Sequence, residues 1–506
     1  MKTQLGRTKW SEVIPRVLAD FAVVQAAFVA SLWMVGSNTS ASWEALWRVY
    51  AAGFFPLSFL FPTVFSLCGF YTRSRVYATG YKWRLIVSGT TVASLVYLLG
   101  HFLLNRADSL PRKSLLFFLV LANAGVFGSR WLKNRLLELE SRGARDQGGP
   151  ADRPVLVVGG AGYIGSVVCR RLLAAGRRVR VLDSLIYGDT AIRELLPDPR
   201  FELQVGDCRN IQSVVAAVKG VGAILHLAAI VGDPACDQDR QSAREINYAA
   251  TRMLIEVAKG YGVERFLFAS SCSVYGAADE LMDECCQPAP LSLYGETKVE
   301  SERALLEARG EHFHPVVLRF ATVFGYSPRP RFDLVVNLLV AKAYRERRIT
   351  IYNGEQWRPF LHVEDVAEGL RCALDAPVDV VSGQIFNLGD NRLNATLSQV
   401  AEKIRQTFPG AAVEYVENTD RRDYRVSFDK IRRRLGFEAR WTLETGIAQL
   451  QRALESEAVP DHGSPIYHNQ RYLKEIGTIH SEELDTRVMA AFAEALLREE
   501  RVPADR

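Results

Sequence analysis

Residues 155–176 read VLVVGGAGYIGSVVCRRLLAAG, and the fold turns on them. Val155–Val158 is an apolar run of strand length, with Gly159, Gly162 and Gly165 behind it. An apolar pattern of helical period opens immediately afterwards. The first glycine permits a tight turn, the second lets backbone approach a pyrophosphate, and the third lets helix pack on strand. The helix N-terminus then turns unpaired N–H groups toward the phosphates. Tyr163 and Ile164, between the last two glycines, are further candidate contacts. A glycine triplet by itself is a weak signal. A strand before it and a helix after it make it a dinucleotide site on a Rossmann-type α/β sheet.

Reading outward, RRVRVLDS (177–184) predicts a second strand ending in Asp183. A carboxylate there accepts from the adenosine ribose hydroxyl and repels a 2′-phosphate, which favours NAD over NADP. FELQVGDC (201–208) predicts a third strand and brings Asp207 and Cys208 to the cofactor. Asp207 has two readings, acceptor for an adenine amine or helix N-cap. GAILHLAA (222–229) predicts a fourth strand, where Leu227, Ala228 and Ala229 leave room for the cofactor.

The next strand, FLFAS (266–270), delivers Ser271 at its carboxyl end, the edge where open α/β sheets bind ligands. About twenty residues later comes YGETK (294–298), in which Tyr294 and Lys298 share one helix face. A phenol is a poor base at neutral pH. A neighbouring ammonium and an oxidised nicotinamide both favour its phenolate. Lys298 is placed to hold the nicotinamide ribose, and Ser271 to bond the reacting oxygen. The pattern calls for proton abstraction from a sugar hydroxyl by Tyr294, with hydride loss from the same carbon.

With these residues in place the sequence resembles the extended short-chain dehydrogenase/reductases that act on nucleotide sugars, close to UDP-glucose 4-epimerases. The resemblance spans roughly residues 155–450 and is carried by GGAGYIGS, LHLAA, INYAAT (246–251), SSCSVYG, YGETK and WRPFLHVEDVAEG (357–369). It implies catalytic roles for Ser271, Tyr294 and Lys298, and places Asn247 near the cofactor. It also implies that Arg358 pairs with the substrate diphosphate, a task suited to a planar guanidinium, and that Tyr352 lies against the base. Arg422 is either a second phosphate contact or the partner of Asp420 or Asp423. Asn337 is either a substrate contact or an ordinary helix residue. Thr322 stands where the family usually has a substrate-binding Asn, which puts the identity of the sugar in question.

The related 4,6-dehydratases place an acidic pair directly after the catalytic hydroxyl residue, to eliminate water. Here those positions hold Cys272 and Ser273. Oxidation at one carbon and re-reduction on its other face needs no such pair. C4 epimerisation of an NDP-hexose through a 4-keto sugar is therefore the expected reaction. The alternatives are a dehydratase or another oxidoreductase on the same substrates, and a non-catalytic regulator that binds NAD or a nucleotide sugar. The resemblance also implies pairing into a homodimer.

Residues 1–136 differ from the rest. Four apolar runs, Val17–Gly36, Val49–Phe70, Trp83–Leu104 and Ser114–Leu132, approach the roughly 20 residues that cross a bilayer. Lys2, Arg7, Lys9 and Arg16 precede the first run; Arg73, Arg75, Lys82 and Arg84 separate the second and third; Arg130, Lys133 and Arg135 follow the fourth. By the positive-inside rule both termini are cytoplasmic, although Arg106, Arg112 and Lys113 count against it. No run carries an acidic residue or Lys at mid-depth, which argues for an anchor and against a transporter. LCGFYTRSRVYATGYKWR (67–84) and LPRKSLLFF (110–118) resemble the four-span domain of bacterial polysaccharide-biosynthesis enzymes.

The expected organisation is thus a four-helix transmembrane domain (1–136), a polar linker (137–154), the NAD-binding domain with its substrate lobe (155–455), and a charged extension (456–506) to which no role attaches. The expected location is the inner membrane, multi-pass, with the catalytic domain in the cytoplasm. The 506 residues carry a net charge of +5 with no dense basic block, so nucleic acid is not an expected partner. The eight cysteines form no CxxC and no zinc spacing, which reads as reduced thiols and no metal site.

Overall fold

The structure, a computed structural model, describes residues 10–36, 43–67, 80–104, 112–145, 153–417, 422–456, 458–459 and 461–476. Among the features singled out above, Lys2, Arg7, Lys9, Cys68, Arg73, Arg75, Arg106, Asp420, most of 67–84 and the last thirty or so residues lie outside it. The chain divides into two compact units, Met1–Asp146 and Gln147–Arg506.

In the first unit each apolar run forms a helix: α1 (Trp10–Gly36), α2 (Trp43–Leu67), α3 (Gly80–Leu104) and α4 (Arg112–Arg145). Val24, Phe28, Phe61, Phe65, Ala93, Phe118 and Ala122 pack at the centre. The ring of Phe28 meets those of Phe118 and Tyr97 edge-on, with centroids 5.4 and 5.7 Å away. The outside is apolar as well, with Trp33, Phe55, Phe59, Leu99 and Leu116 all more than half exposed. Among the described residues, Val17–Val35 and Trp47–Ser66 are long and apolar enough to cross a membrane. The apolar stretches of α3 and α4, Val87–Gly100 and Leu116–Leu132, are shorter. The four expected spans are therefore four helices, two of which carry a stretch of crossing length.

Asp20, one turn inside the first run, pairs with Arg130 of α4 through two contacts of 2.7 Å. Each charge thereby has its partner, without which burial would be costly. Gln25 donates to the Phe54 carbonyl and to Ser58 of α2, the kind of polar contact that joins apolar helices. Helix α4 continues to Arg145, so the expected linker is helical in its first part. LLELE consists of good helix formers, and nothing breaks the run before Gly143.

The second unit is built on seven parallel strands: β1 (Val155–Val158), β2 (Val179–Asp183), β3 (Phe201–Val205), β4 (Ala223–His226), β5 (Arg265–Ser271), β6 (His314–Phe320) and β7 (Gln384–Leu388). Their order is β7-β6-β5-β4-β1-β2-β3, with every pairing parallel. Strand order reverses at β1, beside β4, which opens a crevice at the carboxyl ends. β1 is buried throughout and reads as an unbroken apolar run, as a central parallel strand must. β3 ends at Val205 and β4 at His226, short of the expected ends. Asp207 and Leu227–Ala229 therefore belong to loops beyond the sheet edge.

Helix α5 (Tyr163–Ala174) follows β1, and α6 (Leu293–Glu307) carries the YGETK motif. Helix α7 (Val335–Glu346) belongs to a second lobe. There Thr322–Phe324, Trp357–His362 and Asn394–Thr396 form a small mixed sheet, and Arg348–Tyr352 pairs with Ala412–Val416. In the C-terminal extension, α8 (Asn469–Ile476) is an additional helix.

Candidate active site

A cavity of ≈ 720 Å³ runs along the carboxyl ends of β1, β2, β4 and β5 and into the second lobe. Gly159, Gly162, Tyr163, Ile164 and Gly165 line one end. Gly159 adopts φ +86°, and a Cβ there would come within 2.7 Å of the Ala228 nitrogen. A Cβ on Gly165 would collide with the Gly159 carbonyl. The turn and the helix start are therefore packed backbone to backbone. No side chain caps α5 at Gly162, so the N–H groups of its first turn face the cavity without a competing acceptor. This cradle fits a pyrophosphate.

Asp183 closes β2 and lines the cavity. Its carboxylate accepts from the Ala161 and Leu185 N–H groups at 2.9 and 2.8 Å. Burial pushes its carboxyl up, and the two N–H groups pull it back. Asp207 and Cys208 line the same wall, as do Leu227, Ala228 and Ala229. The Asp207 carboxylate is held by the Arg209 guanidinium at 2.7 Å. It is not the N-cap of the helix that follows. Asn210 caps that helix, accepting from the Gln212 and Ser213 N–H groups.

Ser271, Tyr294 and Lys298 meet at the tip of β5, all three on the cavity. Ser271 stands beside the Tyr294 phenol, near enough to pull its pKa down slightly. Its Oγ accepts from the Ser273 hydroxyl at 2.9 Å, which leaves its own O–H to donate. Lys298 Nζ donates to the Ala269 carbonyl at 2.7 Å and stands 5.6 Å from the Tyr294 ring centroid. Burial pushes the Tyr294 phenol up, with Cys236 adding to the shift. Burial also lowers Lys298 to about 8, against the pull of Cys236 and Glu302. The protein alone thus holds the phenol neutral, and the phenolate depends on a further positive charge in the site. Lys298 is charged below about pH 8 and neutral above it. We expect kcat/KM, which reports the free enzyme, to fall as pH rises through that value. The limb should move upward in Lys298→Arg, whose guanidinium does not titrate. A wild-type profile that stays flat through pH 8 would count against a role for the ammonium.

The two positions after Ser271 diverge. Cys272 is buried and donates to the Arg319 carbonyl, away from the cavity, whereas Ser273 lines it. The carboxylates that do line it are Asp183, Asp207, Asp233 and Asp333. Arg209 holds Asp207, Arg422 holds Asp233 at 3.0 Å, and Arg331 holds Asp333 at 2.8 Å. Asp183 takes its two backbone N–H groups.

On the substrate side Thr322, Tyr352, Arg358 and Arg422 line the cavity. Arg358 donates to the Trp357 carbonyl and to Gln356 and lies over the Tyr424 ring. Arg422 pairs with Asp233, across the chain from the neighbours expected for it. Two expected contacts fall elsewhere. Asn247 is buried behind the wall, where it accepts from the Ile230 N–H at 2.8 Å and donates to the Ile230 carbonyl. It fixes the loop after β4 without reaching the cavity. Asn337 accepts from the Gly325 N–H and donates to the Gly325 and Arg331 carbonyls, so it locks the basic turn 326–333. Both amides face inward because buried backbone groups there need partners.

Ser273, Tyr187, Arg329, Arg331 and Asp333 also line the cavity, as do Asn469, Gln470 and Leu473 of α8, and the sequence singles out none of them as a site residue. The charges of SPRPRFD (327–333) stand together in the sequence, but nothing local marks α8.

The NAD dependent epimerase/dehydratase family matches residues 155–389. A Bacillus subtilis (strain 168) protein described as an uncharacterized UDP-glucose epimerase, YtcB, is 31% identical over 258 residues, covering 49% of this chain and 80% of that one. The UDP-glucuronate 4-epimerase of Thermodesulfobacterium geofontis (strain OPF15) is 28% identical over 308 residues, 58% of this chain and 93% of that one. Among solved structures, MoeE5 in complex with UDP-glucuronic acid and NAD superimposes with a TM-score of 0.54 at 31% identity, covering 60% of this chain and 99% of that one. With the glycine cradle, Asp183 and the Ser271–Tyr294–Lys298 cluster, these likenesses establish that the chain belongs to the NAD-dependent epimerase/dehydratase family of nucleotide-sugar enzymes and uses NAD as its cofactor.

Proposed function

We propose that the protein is a membrane-anchored epimerase that inverts C4 of an NDP-hexose, in the supply of a surface polysaccharide. The observation that carries the reaction is the tip of β5. Ser271, Tyr294 and Lys298 converge on the cavity there, and the next two positions hold an inward-turned Cys272 and a hydroxyl in place of acids. Ser271 donates to the sugar oxygen at the reacting carbon. Tyr294 takes the proton from that oxygen and later returns it, with Lys298 holding positive charge at its ring. Bound NAD supplies the hydride acceptor and, later, the donor. Arg358 and Arg422 hold the diphosphate, Tyr352 lies against the base, and Thr322 borders the sugar. Elimination of water would need a carboxylic acid at the reacting centre, and each cavity carboxylate is already engaged.

The anchor rests on α1–α4. Their outward faces carry Trp33, Phe55, Phe59, Leu99 and Leu116, and water does not favour so continuous an apolar surface. Four spans, with three of the four basic flanks on one side, put the catalytic unit in the cytoplasm at the inner membrane. The domain limits then follow those of the sequence, 1–136 for the anchor and 155–455 for the enzyme.

The test is to incubate the detergent-solubilised full chain with a panel of UDP-hexoses and UDP-hexuronic acids and to identify products by NMR. Inversion at C4 is the expected result. A 4-keto-6-deoxy product would replace the epimerase with a dehydratase, and no turnover on any NDP-sugar would favour a binding role.

A further inference from the structure

Helix α8 lies well beyond residue 389, where the match to the family model ends, yet it touches three loops at the cofactor crevice. At its first residue, Asn469 Oδ1 accepts from Arg329 at 2.7 Å, and the Asn469 N–H donates to Asp333 at 3.3 Å. Two residues before it, the Tyr467 carbonyl accepts from the Phe332 N–H at 2.8 Å. In the middle of the helix, the Tyr472 ring lies 5.3 Å from that of Tyr187, in the loop after β2. Leu473 is buried in a cluster with Ile230, Ala235, Cys236 and Leu293, from the loop after β4 and the start of α6. Asn469, Gln470 and Leu473 line the cavity itself.

The Arg329 guanidinium completes the arrangement. It stacks on Tyr187 at 3.8 Å from the ring centroid, and its buried Nε has no partner among the described residues. Burial lowers its pKa to about 10, so it stays charged at neutral pH. A buried cation with an unspent donor on a cavity wall calls for an acceptor from a bound ligand. The loops that α8 joins are those after β2 and β4, which flank the dinucleotide crevice.

We propose that α8 is a strap that closes the cofactor crevice and retains NAD from one catalytic cycle to the next. Asn469 and Leu473 act as its two fasteners. Retention suits a cycle that returns its hydride to the sugar, a step that rests on the epimerase reading, because such a cycle never exchanges its cofactor. Release then requires the strap to lift. Lifting exposes Leu473 and breaks the Arg329–Asn469 bond.

The test is carried out on the full chain in detergent with no sugar present. NAD-loaded protein is mixed with excess isotopically labelled NAD, and the bound cofactor is followed by mass spectrometry. Leu473→Ser and Asn469→Ala are each expected to speed exchange by about tenfold or more and to lose cofactor on gel filtration. Asn469→Ala leaves the apolar cluster intact and decides the question by itself if Leu473→Ser does not fold. Wild-type exchange rates in folded Asn469→Ala and Leu473→Ser, or in Asn469→Ala alone where the other does not fold, overturn the strap. With no sugar in the assay, this result is independent of whether C4 is inverted, so the two proposals fail separately.

Discussion

Tyr294→Phe is expected to lower kcat by about 10²–10⁴-fold, the range a positioned proton-transfer group contributes. The substitution keeps the ring and so its packing beside Leu293 and Cys236, and it removes a single oxygen. That oxygen stands beside Ser271 on the cavity wall. Without it the sugar hydroxyl has no group to receive its proton, because Lys298 Nζ is turned to the Ala269 carbonyl. Asp183 and the glycine cradle are untouched, so the variant should still purify with NAD. Cofactor content by absorbance and turnover by NMR check both halves of the expectation. A variant that keeps turnover within tenfold of wild type would remove Tyr294 from the chemistry.

The second large effect is on stability. Arg319 in β6 is among the largest fully buried side chains. Its guanidinium donates to Glu302 of α6 at 2.7 and 3.0 Å and to the Tyr275 hydroxyl at 3.0 Å. Glu302 also accepts from Ser270, the neighbour of Ser271. This pair therefore ties the strand that carries the serine to the helix that carries the tyrosine and lysine. Glu302→Ala leaves a buried guanidinium without its counter-charge, which costs about 3–5 kcal/mol. The double variant Glu302→Leu with Arg319→Met removes both charges and should be markedly more stable than the single one. Chemical denaturation of the three proteins measures the difference. A double variant no more stable than Glu302→Ala would show that packing, and not the stranded charge, sets the cost.

Much of the site is written in short-range pattern. The glycine spacing after an apolar strand marks the cradle, because only glycine tolerates the positive φ at 159 and the close backbone approach at 165. Asp183 follows from its place at a strand end. Tyr294 and Lys298 follow from a four-residue interval on a helix. The four apolar runs announce four helices for the same reason, since each signal is a local periodicity that any window of the sequence displays.

What only the tertiary structure decided is where polar side chains turn. Asn247 and Asn337 stand in the expected neighbourhood but bond backbone behind the wall, and Asp207 gives its carboxylate to Arg209 instead of capping a helix. Arg422 finds Asp233, and Arg329 finds Asn469. The partners in these last two pairs are far apart in the chain, and no spacing rule foretells them. Such contacts are settled by the need to satisfy each buried donor and acceptor once the chain has closed on itself. This is also why a tail with no recognisable motif lies against the cofactor crevice.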